Sequence, residues 1–176
     1  MINRNMKIPN REESFGLLKK HGIEGNVLRH VMKVNEVAMK IGRKLKEEGV
    51  DVDLHLLEAA SLLHDIGKVL SDVTDMNHIE AGVKILKEEG MPEIAEVISK
   101  HGTTSVLDPD TEPNSWEEKI IYYADMRVVE DELVSLDERI DYLVTRYPQL
   151  KEVMPKVLPK IKNIEKEIFT KMKSQI

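Results

Sequence analysis

The sequence predicts an all-α fold, a single-domain helical bundle, on three observations. Hydrophobic residues make up 41% of the 176 positions but aromatics only 4%, so the core is aliphatic and poor in the ring side chains that strands favour. Apolar positions recur at helical spacing between residues that start and stop helices. No alternating pattern longer than Val50–Val52 marks a strand. A chain of this size is long enough to bury roughly 70% of its unfolded surface. With no internal repeat and no linker-like change of composition, one domain over 10–176 is expected behind a flexible tail at 1–9.

Each helix has its own local reason. Asn10 and Glu13 have capping-box spacing and open a short helix that stops near Gly22. The next carries Val27, His30, Val31, Val34, Val37, Ala38, Ile41 and Leu45 on one stripe and ends at Gly49. Asp51 or Asp53 caps a helix from Leu54 to about Asp65 that is apolar on nearly every side, which places it mid-domain. Gly67 is its expected stop. Asn77 caps a helix through about Glu89, closed by Gly90. Pro92 suits the first turn of the following helix, expected to run to His101 with Gly102 as its stop. The prolines and acids of Thr103 to Asn114 read as an exposed loop. Ser115 with Glu118 and Ser135 with Glu138 are further capping boxes; the first helix carries Ile120, Ile121, Tyr123, Ala124 and Asp125, and the second ends before Pro148. Ile161, Ile164, Ile168 and Met172 form a last stripe, for packing or for a homodimer.

Composition removes several classes of function. There is no cysteine, which excludes disulfides, thiolate catalysis, cysteine-ligated zinc and iron–sulfur clusters. The net charge of -6 and pI of about 5.6 offer no extended nucleic-acid surface, though a local basic pocket for a small phosphorylated substrate remains open. Met1 to Pro9 has no signal-peptide h-region, and no apolar run approaches the ~20 residues of a membrane span. A cytoplasmic location is expected.

The chemistry is concentrated in a few polar residues set in apolar surroundings. His30 is the polar member of an aliphatic stripe. His64 and Asp65 end the most apolar helix, His78 starts a helix, His101 ends one, and Asp125 follows an apolar run. Burying an imidazole or carboxylate without compensation is costly. One or two divalent ions at a shared centre (Mn, Fe, Co, Ni, Zn or Mg) would compensate all of them, and the two oxygens of Asp65 suit it to bridge. Any one of these histidines alone is better read as a structural or surface residue; the ordered set is what points to metal. His21 and His55 do not fit it.

The string Leu63–His64–Asp65–Ile66–Gly67–Lys68 resembles the signature of the HD-domain superfamily of metal-dependent phosphohydrolases in its HDIG form, here a short, stand-alone member. The family pattern of an upstream His, a His-Asp pair and a downstream Asp is matched by His30, His64–Asp65 and Asp125. Its binuclear branch adds two histidines, matched by His78 and His101. The resemblance covers about 26–147 and leaves 148–176 as packing helices. It implies metal ligation by His30, His64, Asp65, His78, His101 and Asp125, and hydrolysis of a phosphomonoester or phosphodiester, a nucleotide or another small phosphorylated substrate, by a metal-activated water. It implies a catalytic role for Asp65 in orienting that water and for Lys68 in meeting the substrate phosphate. Arg127 and Arg139 are weaker candidates for substrate binding. Gly102 stands where a second histidine would follow in cyclic-di-GMP phosphodiesterases, and no Gly-Tyr-Pro motif occurs; both departures count against that activity. A di-iron oxygenase on the same scaffold and a non-catalytic nucleotide sensor are the rival readings.

Overall fold

The structure, a computed structural model, describes residues 8–174. It is all-helical apart from one two-stranded hairpin. In chain order the elements are α1 (Arg11–Lys20), α2 (Gly25–Glu47), α3 (Leu54–Leu63), the single turn α4 (Lys68–Ser71), α5 (His78–Glu88), α6 (Pro92–Ile98), α7 (Trp116–Asp125), β1 (Val128–Val129), β2 (Glu132–Leu133), α8 (Leu136–Arg146) and α9 (Met154–Met172). No helix among the described residues is long and apolar enough to cross a membrane.

Local chemistry places the helix starts. Asn10, Asn77, Ser115 and Ser135 each close a capping box with the Glu three residues on, satisfying amides that the first turn leaves without partners. Asp53, rather than Asp51, caps α3, accepting from the amides of His55 and Leu56 at 2.9 and 3.0 Å.

α3 is the axis of the molecule. Leu57, Ala60, Leu62 and Leu63 are fully buried, and the helix packs against α1, α2, α6 and α7. Each such leucine stabilises the fold by about 1.5–3 kcal/mol relative to exposure. α2 lays Val31, Val34, Ala38, Ile41 and Leu45 against it. α9 covers α2 and α7 with Val157, Ile161, Ile164, Ile168 and Met172, all buried within the one chain.

Four details differ from the sequence expectation. Of the tail expected over 1–9, residues 1–7 lie outside the described residues, while Pro9 is buried and Ile8 packs on the core. α3 and α6 end at Leu63 and Ile98, short of Asp65 and His101, because the imidazoles that follow take over the last carbonyls, as described below. Gly67 does not break α3 through a left-handed backbone (φ is -80°). It is needed for closeness: a Cβ there would run into the carbonyl oxygen of His78 and the amide of Gly82. The stretch from Thr103 to Asn114 is only partly exposed, with Ser105, Val106 and Pro113 buried, and Tyr122 of α7 donates to the Thr103 carbonyl at 2.9 Å.

Candidate metal centre

The ends of α3 and α6 aim two of the histidines. A helix leaves its last four carbonyls without amide partners. His64 Nδ1 donates to the Ser61 carbonyl at 2.8 Å, and His101 Nδ1 donates to the Ile98 carbonyl at 2.6 Å. A carbonyl only accepts, so the proton sits on Nδ1 and Nε2 faces the other way. Asn35 supports the α3 end from below through Ser61 Oγ at 2.8 Å. His30, one turn into α2, is held by a distant element: its Nδ1 donates to the Glu130 carbonyl in the β1–β2 turn at 2.8 Å. Glu130 adopts φ 53°, a left-handed conformation that costs a non-glycine residue roughly 1–2 kcal/mol. Arg127 anchors that hairpin, its Nε donating to the Val134 carbonyl at 2.6 Å and its Nη1 to the Tyr123 hydroxyl.

All six expected ligands meet. Asp65, 5% exposed, divides its oxygens: Oδ2 lies 3.7 Å from His64 Nε2 and 3.9 Å from His30 Nε2. Its Oδ1 lies 3.6 Å from His78 Nε2 and 3.7 Å from His101 Nε2. Asp125 Oδ1 is 3.0 Å from His30 Nε2 and 4.0 Å from His64 Nε2. Two groups result that could each hold an ion, His30–His64–Asp65 and Asp65–His78–His101, with Asp65 common to both.

A chemical test of fit comes from unsatisfied atoms. His64 Nε2 and His101 Nε2 are buried without a hydrogen-bond partner, and native interiors seldom leave such atoms alone. A divalent ion supplies what each lacks. Nitrogen and carboxylate donors without thiolate suit Mn, Fe, Co, Ni or Zn, and backbone carbonyls behind the imidazoles are the usual outer support of such ligands.

The electrostatics divide the histidines. Burial pulls His64 down to about 4, more than the neighbouring carboxylates lift it. Burial and the charge of Lys68 take His78 to about 4 as well. Both are therefore neutral near pH 7. Burial also opposes charge on His30 and His101, but the carboxylates facing them win. The hydrogen bond and charge of Asp125 raise His30, and the negative charge of nearby Asp65 raises His101. Burial would raise both carboxyls, yet Asp65 is held well below its usual range by His64, His101 and Lys68, and Asp125 likewise by His30 and Arg139.

The centre forms the floor of a cleft of about 700 Å³ that Lys68, Asn77, Thr103, Arg139, Tyr142 and Arg146 also line. Lys68 Nζ is 3.7 Å from Asp65 Oδ1. Arg139 is buried, its Nη2 3.5 Å from Asp125 Oδ1 and its Nε without a partner. Arg127 is not brought to the cleft. α7 ends at Asp125, and the chain turns the guanidinium toward the hairpin and Glu165 instead. His21 pairs with Glu89 at 2.9 Å and His55 is exposed; neither reaches the site. Sequence reasoning passed over Tyr142 and Arg146, although their spacing from Arg139, three and seven residues on, was a signal that one helix face carries all three.

Known proteins resemble this chain. The family model described as HD domain matches residues 27–127. The chain is 30% identical over 145 residues to a tRNA (cytidine(56)-2'-O)-methyltransferase of Thermoplasma volcanium, covering 76% of this chain and 41% of that protein. It is 31% identical over 158 residues to an uncharacterized protein of Methanocaldococcus jannaschii, covering 81% of this chain and 92% of the other. With the dihydroneopterin 2',3'-cyclic phosphate phosphodiesterase of that organism it shares 32% over 120 residues, 60% of this chain and 47% of the enzyme. The chain spans about two fifths of the length of the methyltransferase relatives it matches. No solved structure gives a significant match. The family model covers more than half of the chain, and its histidines and aspartates meet at one centre: the protein belongs to the HD-domain family of metal-dependent phosphohydrolases.

Proposed function

We propose that this chain hydrolyses a phosphomonoester or phosphodiester of a small, nucleotide-sized molecule at the cleft above Asp65. The observation that carries the reading is the pair of buried, unpartnered Nε2 atoms, on His64 and His101, that face a single carboxylate. His30, His64, Asp65 and Asp125 would hold one divalent ion, and Asp65, His78 and His101 a second. Such ions, when bound, lower the pKa of a coordinated water and neutralise charge on phosphoryl oxygens.

The protein's own groups do the positioning, on which phosphoryl transfer chiefly depends. Asp65, lying between the two histidine groups, accepts a hydrogen bond from the attacking water and so orients it. Lys68 and Arg139 stand on the cleft wall beside Asp65 and Asp125, where each donates to a phosphoryl oxygen as negative charge accumulates. The name of the Methanocaldococcus relative, a cyclic phosphate phosphodiesterase, supports a diester as one substrate class.

The deciding experiment is metal analysis of the purified protein, followed by an anaerobic panel of phosphomonoesters and phosphodiesters with that metal restored. Phosphate release or ring opening without oxygen is the expected result. Turnover that needs oxygen and an iron-linked colour would replace hydrolysis by di-iron oxidation. Nucleotide binding without turnover under any metal would leave a sensor.

A further inference from the structure

Beyond Arg139, the wall of the cleft formed by α8 has no part in phosphate binding. Arg139, Tyr142 and Arg146 share one face of α8 by their spacing, and all three line the cleft together with Tyr147 and Gln149 just past the helix end. The chain has four tyrosines. Tyr122 and Tyr123 are buried in α7; the other two are both here. The Arg139 guanidinium lies over the Tyr142 ring at 5.8 Å, and that of Arg146 over the Tyr147 ring at 5.8 Å. Among the described residues Arg146 has no carboxylate partner; its Nε donates to the Tyr147 hydroxyl at 3.3 Å. Two guanidinium planes and two phenol rings thus line the cleft, and flat surfaces of that kind stack on planar rings.

The wall also has a direction. Arg139 marks the phosphate end, 3.5 Å from Asp125. Arg146 lies seven residues further along the helix, about 10 Å at the rise of an α-helix. One nucleoside spans such a reach; a phosphate on a short ring-free alcohol does not. A cleft of about 700 Å³ suits one ligand of that size.

We propose that the face of α8 beyond Arg139, made by Tyr142 and Arg146 and extended by Tyr147, binds the organic part of the substrate and selects a planar heterocycle about one nucleoside from the phosphate. This rests on the phosphohydrolase reading for the identity of the phosphate end, and the test has two arms so that the readings fail separately. Arg146 and Tyr147 are exposed, so Arg146→Ala with Tyr147→Ala spares the fold, as circular dichroism will check. In the first arm, kcat/KM is measured for adenosine 5'-monophosphate and for glycerol 2-phosphate. The ratio between them falls about tenfold or more in the double variant, the scale of a lost ring stack; a merely structural role would lower both alike and leave the ratio in place, which overturns the proposal. In the second arm, saturation-transfer NMR reads contact of the adenosine ring with the protein, with no phosphate or turnover involved. Signal in the wild type that is lost in the variant upholds the subsite, even if no phosphate ester is hydrolysed and the hydrolase reading has fallen. No signal in the wild type, or equal signal in both proteins, sinks it.

Discussion

Asp65 is buried at the end of α3, where the carboxylate is stable as an anion only because imidazoles and Lys68 surround it. Removing it takes the shared ligand from both metal groups. Asp65→Ala is expected to abolish metal retention, read by elemental analysis, and turnover with it, while far-UV circular dichroism stays helical. A variant that kept full activity would remove Asp65 from the mechanism. The histidines give a pH dependence whose sign follows from their neighbours. His30 and His101 are raised by Asp125 and Asp65, so in the metal-free protein they hold protons at a higher pH than ordinary imidazoles. Metal ligation needs both neutral and must expel those protons. Affinity should therefore fall as pH falls, by about one decade per pH unit for each proton released. Calorimetry in buffers of different ionisation enthalpy counts those protons; a count of zero near pH 7 would contradict the assignment.

At the level of elements, the centre depends on where helices stop and on one short hairpin. The carbonyls freed at the ends of α3 and α6 orient His64 and His101, and the β1–β2 turn does the same for His30 from a hundred residues away. Arg127 fastens that hairpin to α7. Arg127→Met should lower stability in urea denaturation by about 1.5–3 kcal/mol, the range for a charged hydrogen-bonding group. Because it acts through His30, the variant should lose metal affinity at the His30 group. A substrate ligand would instead raise KM with metal content unchanged, and that outcome would restore Arg127 to the phosphate.

For the whole molecule, α9 packs behind two helices that bring residues to the centre. Ile161 and Ile168 are fully buried against the face of the bundle formed by α2 and α7, the helices that carry His30 and Asp125. Tyr123 meets Phe169 edge to face, with ring centroids 5.9 Å apart. The stripe that suggested a homodimer is thus taken up inside the chain. Ile168→Ala should cost about 2–5 kcal/mol through loss of contacts and the cavity left behind. A thermal melt shows this as a lower midpoint at every protein concentration; a loss that appears only on dilution would instead mean that α9 mediates assembly.

The helical class and most helix starts were legible in the sequence, because capping boxes act over three residues and apolar stripes over four; the six residues that meet at the centre were singled out by their ordered match to the HD-domain pattern. Polar residues stranded in apolar runs were legible for the same reason, since burial without compensation is costly wherever the chain folds. What tertiary structure decided is everything that depends on distant segments meeting. Sequence proximity to Asp125 made Arg127 look like a substrate ligand, but the chain turns after α7 and spends that guanidinium on the hairpin. Gly67 looked like a helix stop, and the approach of α5 gives it a different purpose. Tyr142, Arg146 and the Glu130 carbonyl gain meaning only once α8 and the hairpin lie over the metal centre. Local rules govern single turns of chain; a cleft wall is set by packing between elements that no short window of residues contains.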